Sequence, residues 1–333
     1  MPTILAIESS CDETAAAVIQ DGVIKSNVIA TQEVHAKFGG VVPEIASRAH
    51  LEAIVPVVME ALEVAGIDKR ELSAVAFTQA PGLIGALLVG ASFAKSMALA
   101  LDIPLIGVHH MQAHVLAHLI DDPKPPFPFL CLTVSGGHTQ IVQVNSPLHM
   151  EVLGSTLDDA AGEAFDKVAK MLHLPYPGGP LVDKMAKEGD GKKFPFPPAQ
   201  IAGLDFSFSG IKTSVRYFLE KEIKKNPQFV EENLADICAS LQRAIVGMLM
   251  DKLVKAAAQT GINHIGIAGG VSANSALRTT LEETGRQKGW TTYIPAFIYC
   301  TDNAAMIAMT AHYLYEAGRF TPLDVAPSPR AAF

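Results

Sequence analysis

The chain of 333 residues is poor in cysteine, in charge and in long apolar runs. Its four cysteines form no C-x-x-C pair, which excludes a disulfide framework and a cysteine-based zinc site. The longest apolar stretch, Gly82 to Ala94, has thirteen residues before Lys95, too few to cross a bilayer. The opening MPTILAIESS has no basic region before its apolar run, so we expect no secretory signal. These features predict a soluble cytoplasmic protein without a membrane span.

Positive charge is also scarce. The chain has 26 basic against 34 acidic residues and a formal net charge of −8, which argues against a large autonomous nucleic-acid surface. A local basic patch stays open, because Lys192-Lys193 and the segment KEIKK from Lys221 are short basic clusters. Any contact with a nucleic acid is therefore expected to be limited.

Histidine, by contrast, is concentrated in VHHMQAHVLAH, which begins at Val108. His110, His114 and His118 are spaced i, i+4, i+8 and would share one face of a helix. Zinc proteases use this spacing as H-E-x-x-H, with the glutamate as general base. The window HMQAH has no carboxylate between its histidines. The stretch is therefore either a metal site without hydrolytic machinery or a row of histidines lining a helix.

The start of the chain resembles a second segment later in the sequence, as in an internal repeat. A shift of 126 residues lays ILAIESSCDETAAAVIQ, from Ile4, over LCLTVSGGHTQIVQV, from Leu130, and Ser9 over Ser135. Two unrelated hairpins would give this pattern, and so would a duplicated domain in which each copy opens with a strand–turn–strand that presents N–H groups to an anion. Strands and helices alternate afterwards, which predicts an α/β chain of two related halves.

The sequence also predicts a long helix, an inserted loop and a glycine-containing turn. A helix is predicted from Pro43 through Ala65, with Pro56 expected to kink or interrupt it. A segment rich in proline and phenylalanine, about 190–210, is predicted to be an inserted loop. In IGIAGGVSANSALR, a strand meets Gly269-Gly270 and a helix is predicted from about Ser272. That turn suits either an anion or polar ligand head group, or a purely structural role.

Ten segments in order resemble the tRNA N6-adenosine threonylcarbamoyltransferase family, formerly called glycoproteases. They cover the chain to about residue 310, whereas the ending TPLDVAPSPRAAF matches loosely. The segments are IESSCDETAAAV, GGVVPEIASRAH, PGLIGALLVG, VHHMQAH, VSGGHTQIV, DDAAGEAFDKVAK, YPGGP, DFSFSGIKT, AGGVSANSALR and CTDNAAMIA.

The resemblance implies the actin and sugar-kinase superfamily, with duplicated ribonuclease-H-like domains and a cleft between them. We expect a first lobe over residues 1–107, completed by the C-terminal helix at about 303–333. A second lobe, residues 108–302, would carry the metal and nucleotide sites.

The resemblance also implies a transfer reaction. Threonylcarbamoyl-AMP would give its threonylcarbamoyl group to the N6 amine of the adenosine 3′-adjacent to the anticodon, in tRNAs that read codons beginning with A, and release AMP. A mixed anhydride already has a good leaving group, so the enzyme mainly positions the reactants, excludes water and stabilises charge. An ATP-dependent small-molecule kinase of the same superfamily, a metalloprotease and a noncatalytic partner protein remain as alternatives.

Site residues are carried over from the family's motifs. His110, His114 and Asp302 are expected to bind one metal ion, and two imidazoles with one carboxylate suit Fe(II), with Zn as the alternative. Asp12 is expected to be the catalytic carboxylate, although a turn-capping aspartate is the ordinary alternative. The expected adenylate-binding residues are Thr133, Val134, Ser135, Gly136, Gly137, Asp166, Gly179, Asp183 and Asn274.

The resemblance also implies partners besides tRNA. In bacteria, the family works with a catalytically inactive paralogous subunit and a small ATPase. That fits a chain whose short basic clusters would hold tRNA weakly.

Overall fold

A computed structural model of the chain describes residues 2–197 and 201–333. Two compact units divide it. Unit 1 comprises residues 1–124, 146–149 and 295–333, and unit 2 comprises residues 125–145 and 150–294. These boundaries differ from those expected at 107/108 and 302/303. The histidine stretch lies in unit 1, since its helix packs against the last helix of the chain and against the strand that precedes it.

Each unit is built on a five-stranded mixed sheet. The strands of unit 1 are β1 (Thr3–Glu8), β2 (Glu13–Gln20), β3 (Val23–Thr31), β4 (Ala74–Ala80) and β5 (Leu105–His109). The sheet of unit 2 contains β6 (Phe129–Val134), β7 (Thr139–Ser146), β8 (His149–Ser155), β9 (His264–Ala268) and β10 (Thr291–Tyr293).

The strand orders, β3-β2-β1-β4-β5 and β10-β9-β6-β7-β8, are the same topology. In both sheets the opening hairpin is antiparallel and the first strand pairs in parallel with a later one. A shift of 126 residues carries Thr3–Glu8 onto Phe129–Val134 and Glu13–Gln20 onto Thr139–Ser146. The predicted duplication of an α/β domain is therefore confirmed, and the two hairpins are equivalent parts of one repeated plan.

The helices, in chain order, are α1 (Pro43–Ala65), α2 (Ile84–Leu101), α3 (His110–Leu116), α4 (Ala161–Met171), α5 (Gly178–Ala186), α6 (Ser209–Lys225), α7 (Phe229–Thr260), α8 (Ser275–Lys288) and α9 (Ala304–Glu316). The first three and the last belong to unit 1. By length and composition, α2 could cross a membrane. It packs instead on β4 and α1, which makes it a helix of the unit 1 core.

Two of the local predictions need revision. The helix α1 continues through Pro56 without interruption. Pro56 is exposed, so the carbonyl group that loses its i→i−4 partner can be hydrated. The helix after Gly269-Gly270 begins at Ser275, because a 3-10 turn over Gly270–Ala273 comes first.

Unit 2 packs its helices around a core of residues from β6, α4 and α7. The proline- and phenylalanine-rich segment has no helix or strand from residue 190 through 197 or from 201 through 205, and residues 198–200 lie outside the described chain. Within it, Phe196 is buried and its ring contacts Phe218 of α6. The loop is therefore anchored to the unit 2 core at this point.

Candidate functional site

The unit 1 site begins at the end of β1, where the fully buried Glu8 needs polar partners. Its carboxylate accepts hydrogen bonds from the Ser10 backbone N–H at 2.5 Å and from the Thr78 hydroxyl of β4 at 2.5 Å. It also lies 3.1 Å from Nδ1 of His110, the first residue of α3. Because Nδ1 of His110 is held by this carboxylate, its Nε2 is left available to a metal.

Three atoms meet in front of that imidazole. Nε2 of His110 and Nε2 of His114 are 3.2 Å apart, and Oδ1 of Asp302 lies 3.4 Å from the first and 3.1 Å from the second. Both histidines are buried, and about a fifth of the Asp302 side chain is exposed. Across residues 2–197 and 201–333, this is the one group of three histidine, cysteine or carboxylate residues arranged to hold a metal ion.

The triangle fits a divalent transition metal. One ion can lie about 2.1 Å from all three atoms of a triangle this size, the usual distance to imidazole nitrogen. Two imidazoles and one carboxylate on a single side leave the other side for a ligand, as in mononuclear iron sites. Within the described chain, Nδ1 of His114 has no hydrogen-bond partner, so no protein group competes for the orientation of this ring.

The electrostatics of the three residues agree with a cation site. Burial alone would lower the pKa of His110, but Asp302 and Glu8 raise it well above its usual range. Burial, opposed by Asp302, lowers the pKa of His114. Burial would raise the pKa of Asp302, but the two histidines lower it well below the ordinary value. The negative charges that favour a proton on His110 would also favour a metal cation at this position. Binding of the metal would therefore displace the proton.

The turn after β1 lies beside this triangle. The Ser10 hydroxyl is 3.4 Å from Nδ1 of His110 and 3.5 Å from Oδ2 of Asp302. Burial, together with Asp302 and Asp12, raises the pKa of Glu13 to about 10. Burial and Asp12 also raise the pKa of the Cys11 thiol. Burial beside Asp12 therefore favours the neutral form of both the Glu13 carboxyl and the Cys11 thiol.

The equivalent turn of unit 2 carries the expected phosphate-side residues. The Ser135 N–H donates to the His138 carbonyl at 2.8 Å, and the Ser135 hydroxyl accepts from the His138 N–H at 3.1 Å. Gly136 and Gly137 are exposed, with open space where a Cβ would lie. Thr133 and Val134 are fully buried in β6. The part of this turn open to a ligand is therefore Ser135–Gly137, and the side chains of the two preceding residues are not.

The other expected adenylate residues have structural partners within unit 2. Oδ1 of Asp166 accepts from the N–H groups of Gly178 and Gly179, at 2.9 and 3.1 Å. Asp183 accepts from the hydroxyl of Ser275 at 2.7 Å. The spacing of Asp166 and Lys170 would also allow an i, i+4 ion pair on α4, but none is present among the described residues.

Both the oxygen and the nitrogen of the Asn274 side-chain amide are already hydrogen-bonded. Its Oδ1 caps α8 by accepting from the Leu277 N–H at 3.0 Å, and its Nδ2 donates to Gln242 at 2.7 Å. Gly269 is also structural: its φ of +84° and an added Cβ only 2.4 Å from the Val134 carbonyl oxygen exclude a side chain. Gly270, next to it, has open space. Of this glycine pair, the second is the one that leaves room for a ligand.

The sequence did not single out Glu8 or Thr78. A carboxylate that ends the wholly apolar strand ILAI is the one available signal, because a buried charge needs a partner. His109 and His118, which were left without a metal role, are not part of the triangle. Nδ1 of His109 accepts from the Gln112 N–H at the start of α3, and His118 is buried in a 3-10 turn after α3 ends.

Known proteins resemble the chain over nearly its whole length. The tRNA N6-adenosine threonylcarbamoyltransferase family matches residues 22–309. Two proteins of that name are those of Cytophaga hutchinsonii, 59% identical over 98% of this chain and 96% of its own, and Christiangramia forsetii, 58% identical over 99% and 98%.

Solved structures with low identity share the fold. Full-length HypF in a phosphate- and nucleotide-bound form superimposes with a TM-score of 0.64 at 14% identity, over 96% of this chain and 47% of HypF. Component A of the Acidaminococcus fermentans (R)-2-hydroxyglutaryl-CoA dehydratase gives a TM-score of 0.54 at 17% identity, over 95% and 99%. These likenesses support the duplicated α/β architecture, and the match in sequence decides the family: the chain belongs to the tRNA N6-adenosine threonylcarbamoyltransferases.

Proposed function

We propose that the chain transfers the threonylcarbamoyl group of threonylcarbamoyl-AMP to the N6 amine of the adenosine 3′-adjacent to the anticodon. The substrates would be tRNAs that read codons beginning with A, and AMP would be released. Family membership fixes the class of enzyme as a tRNA-modifying acyltransferase. The observation that supports the finer proposal is the convergence of His110, His114 and Asp302 beside the turn that carries Asp12. An enzyme acting on tRNA would work in the cytoplasm.

One Fe(II) ion per chain, or Zn(II) in its place, is proposed to bind at His110, His114 and Asp302. When bound, it would act as a Lewis acid and a template for an oxygen ligand. Glu8 would hold the His110 ring in place through Nδ1, and such carboxylates make an imidazole a better ligand.

Asp12 is proposed to accept the proton of the attacking amine. The N6 lone pair forms a bond to the carbamoyl carbon, the bond from that carbon to the phosphate oxygen breaks, and AMP leaves with the electron pair. The N6 proton passes to the Asp12 carboxylate and then to solvent. An amine conjugated to adenine is a poor nucleophile, so a carboxylate that orients it and removes its proton addresses the difficult part of the reaction.

Unit 2 is proposed to bind the adenylate. The exposed turn of Ser135, Gly136 and Gly137 offers backbone N–H groups to the phosphate, as the hairpin turns of this architecture can. The second carboxylate oxygen of Asp166 and that of Asp183 would accept from ribose hydroxyls, near Gly179. Asn274 would contribute through the remaining Nδ2 proton, and Thr133 and Val134 only by shaping the strand that leads into the turn.

Two alternatives are less well supported. A small-molecule kinase of the same superfamily would share the turns but has no need of a His–His–Asp triangle. A metalloprotease would need a carboxylate base beside the histidines. Asp302 belongs to the proposed metal triangle, and Glu8 is already bound by Ser10, Thr78 and His110.

Partner subunits are also proposed: an inactive paralogue and a small ATPase. The paralogue would dock on the groove between α1 and α2, which is open to solvent and has a volume of about 510 Å³. Leu51, Val55 and Leu88 line it and are exposed by 63%, 50% and 47%. Exposed Glu52, Glu60 and Glu63 flank the apolar stripe on α1. A second copy of this chain would bring like charges together, so a related fold with a less acidic helix pair is the better occupant.

The two basic clusters are expected to bind tRNA only weakly when the chain is alone. Of the five lysines in the two basic clusters, Lys193 is paired with Asp236 and Lys225 with Glu222. Phosphate contacts that release counterions would therefore be few.

The metal proposal predicts that purified protein carries about one transition-metal ion per chain. His110→Ala or His114→Ala should remove it, whereas Asp302→Asn should weaken binding less completely, because an amide oxygen still coordinates. Elemental analysis of each purified variant measures this. His264→Ala, in unit 2, is the matched histidine control and should keep the parent's metal. Equal metal content in all of these proteins would overturn the assignment.

Asp12→Asn keeps the size of the side chain but removes the base. Transfer to tRNA should fall by roughly 10²-fold or more, the usual scale of general acid–base catalysis, while adenylate binding survives. Single-turnover assays with threonylcarbamoyl-AMP and tRNA, followed by nucleoside analysis, measure the rate. Asp21→Asn, in the turn between β2 and β3, should transfer at the parent's rate. An unchanged rate for Asp12→Asn would show that Asp12 only caps its turn.

The partner proposal predicts slow or single-round transfer by the isolated chain and much faster turnover when the paralogue and the ATPase are added. Retention of tRNA and the yield of modified nucleoside are compared with and without them, at two salt concentrations.

Leu51→Glu should abolish the stimulation by these partners, since it places a charge in the groove. Val23→Glu changes a similarly exposed apolar residue on β3 and should leave the stimulation unchanged. Tight, salt-sensitive tRNA binding with full multiple turnover by the chain alone would contradict the need for partners.

A further inference from the structure

We propose that His50 is a positioning residue of the transfer site, which fixes the backbone of the turn that carries Asp12. The inference rests on the proposed function of Asp12. His50 lies on the inner side of α1 and is fully buried. Its Nε2 is 3.0 Å from the Cys11 carbonyl oxygen, and its Nδ1 is 2.7 Å from the Thr14 hydroxyl. One imidazole thus bridges the two residues that bracket Asp12 and Glu13.

The chemistry of these partners fixes the state of the ring. A carbonyl oxygen only accepts, so Nε2 must carry the proton and donate to Cys11. Nδ1 of a neutral imidazole is then an acceptor, and the Thr14 hydroxyl donates to it. Burial lowers the pKa of His50, which keeps the ring neutral. Both ring nitrogens are therefore satisfied by the turn itself, in one tautomer and one orientation.

Three successive carbonyl groups of the turn are held by three different elements. The Ser10 carbonyl accepts from the Leu83 N–H at 2.7 Å, just before α2, and the Asp12 carbonyl accepts from the Gln32 N–H at 3.1 Å. The Cys11 carbonyl, between them, accepts from His50. The outer two donors are backbone groups, so His50 is the side chain on which the middle carbonyl depends.

The middle carbonyl belongs to the peptide that joins Cys11 to Asp12. Without its donor, this peptide can rotate, and the Asp12 carboxylate samples a wider range of positions relative to the acceptor amine. Small displacements of a reacting group are costly to the rate and not to binding. We therefore expect loss of the His50 bond to lower kcat for transfer by roughly 10- to 100-fold, with the KM for tRNA and the metal content kept at the parent's values.

Two substitutions separate the two ring nitrogens. The amide nitrogen of His50→Gln can reach the place of Nε2 and donate to Cys11, whereas the shorter amide of His50→Asn can reach only the place of Nδ1 and Thr14. The glutamine variant should keep most of the kcat, and the asparagine variant should lose it. A control for general destabilisation is His264→Ala, which removes the 3.1 Å hydrogen bond between Nδ1 of His264 and the Tyr293 hydroxyl in unit 2. It should lower thermal stability without lowering kcat.

The deciding experiment is a double-mutant cycle of kcat for His50→Asn and Asp12→Asn, with thermal unfolding and metal content recorded for each protein. If His50 acts through Asp12, the double variant is no slower than Asp12→Asn alone. Losses that multiply, or equal losses in His50→Gln and His50→Asn, overturn the positioning role and leave that of Asp12 standing. A parent-like rate for the Asp12→Asn single variant overturns the role of Asp12, and the inference with it.

Discussion

The unit 1 site depends on a buried carboxylate. Glu8 ends a strand of wholly buried residues, and an uncompensated charge there would cost several kcal/mol. Its partners come from the turn after β1, from β4 and from α3, so one group ties together three elements that are distant in sequence. The hydrogen bond to Nδ1 of His110 then sets the direction of the Nε2 atom. The geometry proposed for the metal site therefore depends on the hydrogen bonds that compensate the buried charge of Glu8.

The turn of the duplicated hairpin differs in the two units in the chemical groups that it presents. In unit 1, the turn between β1 and β2 carries Asp12, and three different elements donate hydrogen bonds to its carbonyl groups. This fixes the position of the side chain proposed to act in the reaction. In unit 2, the turn between β6 and β7 contains two exposed glycines, Gly136 and Gly137, which suits the approach of an anion to the backbone. The same strand–turn–strand plan thus supplies a side chain in one copy and backbone groups in the other.

Much of the fold could be predicted from the sequence, because the alternation of apolar residues repeats at a spacing of 126 and strands of equal length result. The histidine spacing was informative for His110 and His114 but not for His118, since α3 ends at Leu116 and the chain tightens into a 3-10 turn. Asp302 came from the resemblance alone, because nothing local connects it to His114, 188 residues earlier. Glu8 and His50 could not be found that way, since their importance lies in partners on other elements.

The central claim is that one metal ion lies in the triangle of His110, His114 and Asp302 with Glu8 behind it. Anomalous diffraction from crystals of the purified protein, recorded at the iron and zinc absorption edges, tests this most directly. We expect a peak about 2.1 Å from Nε2 of both histidines and bonded to the Asp302 carboxylate, with Glu8 still hydrogen-bonded to Nδ1 of His110. A peak coordinated by other residues, or a triangle without metal in crystals grown with Fe(II) or Zn(II), would contradict it.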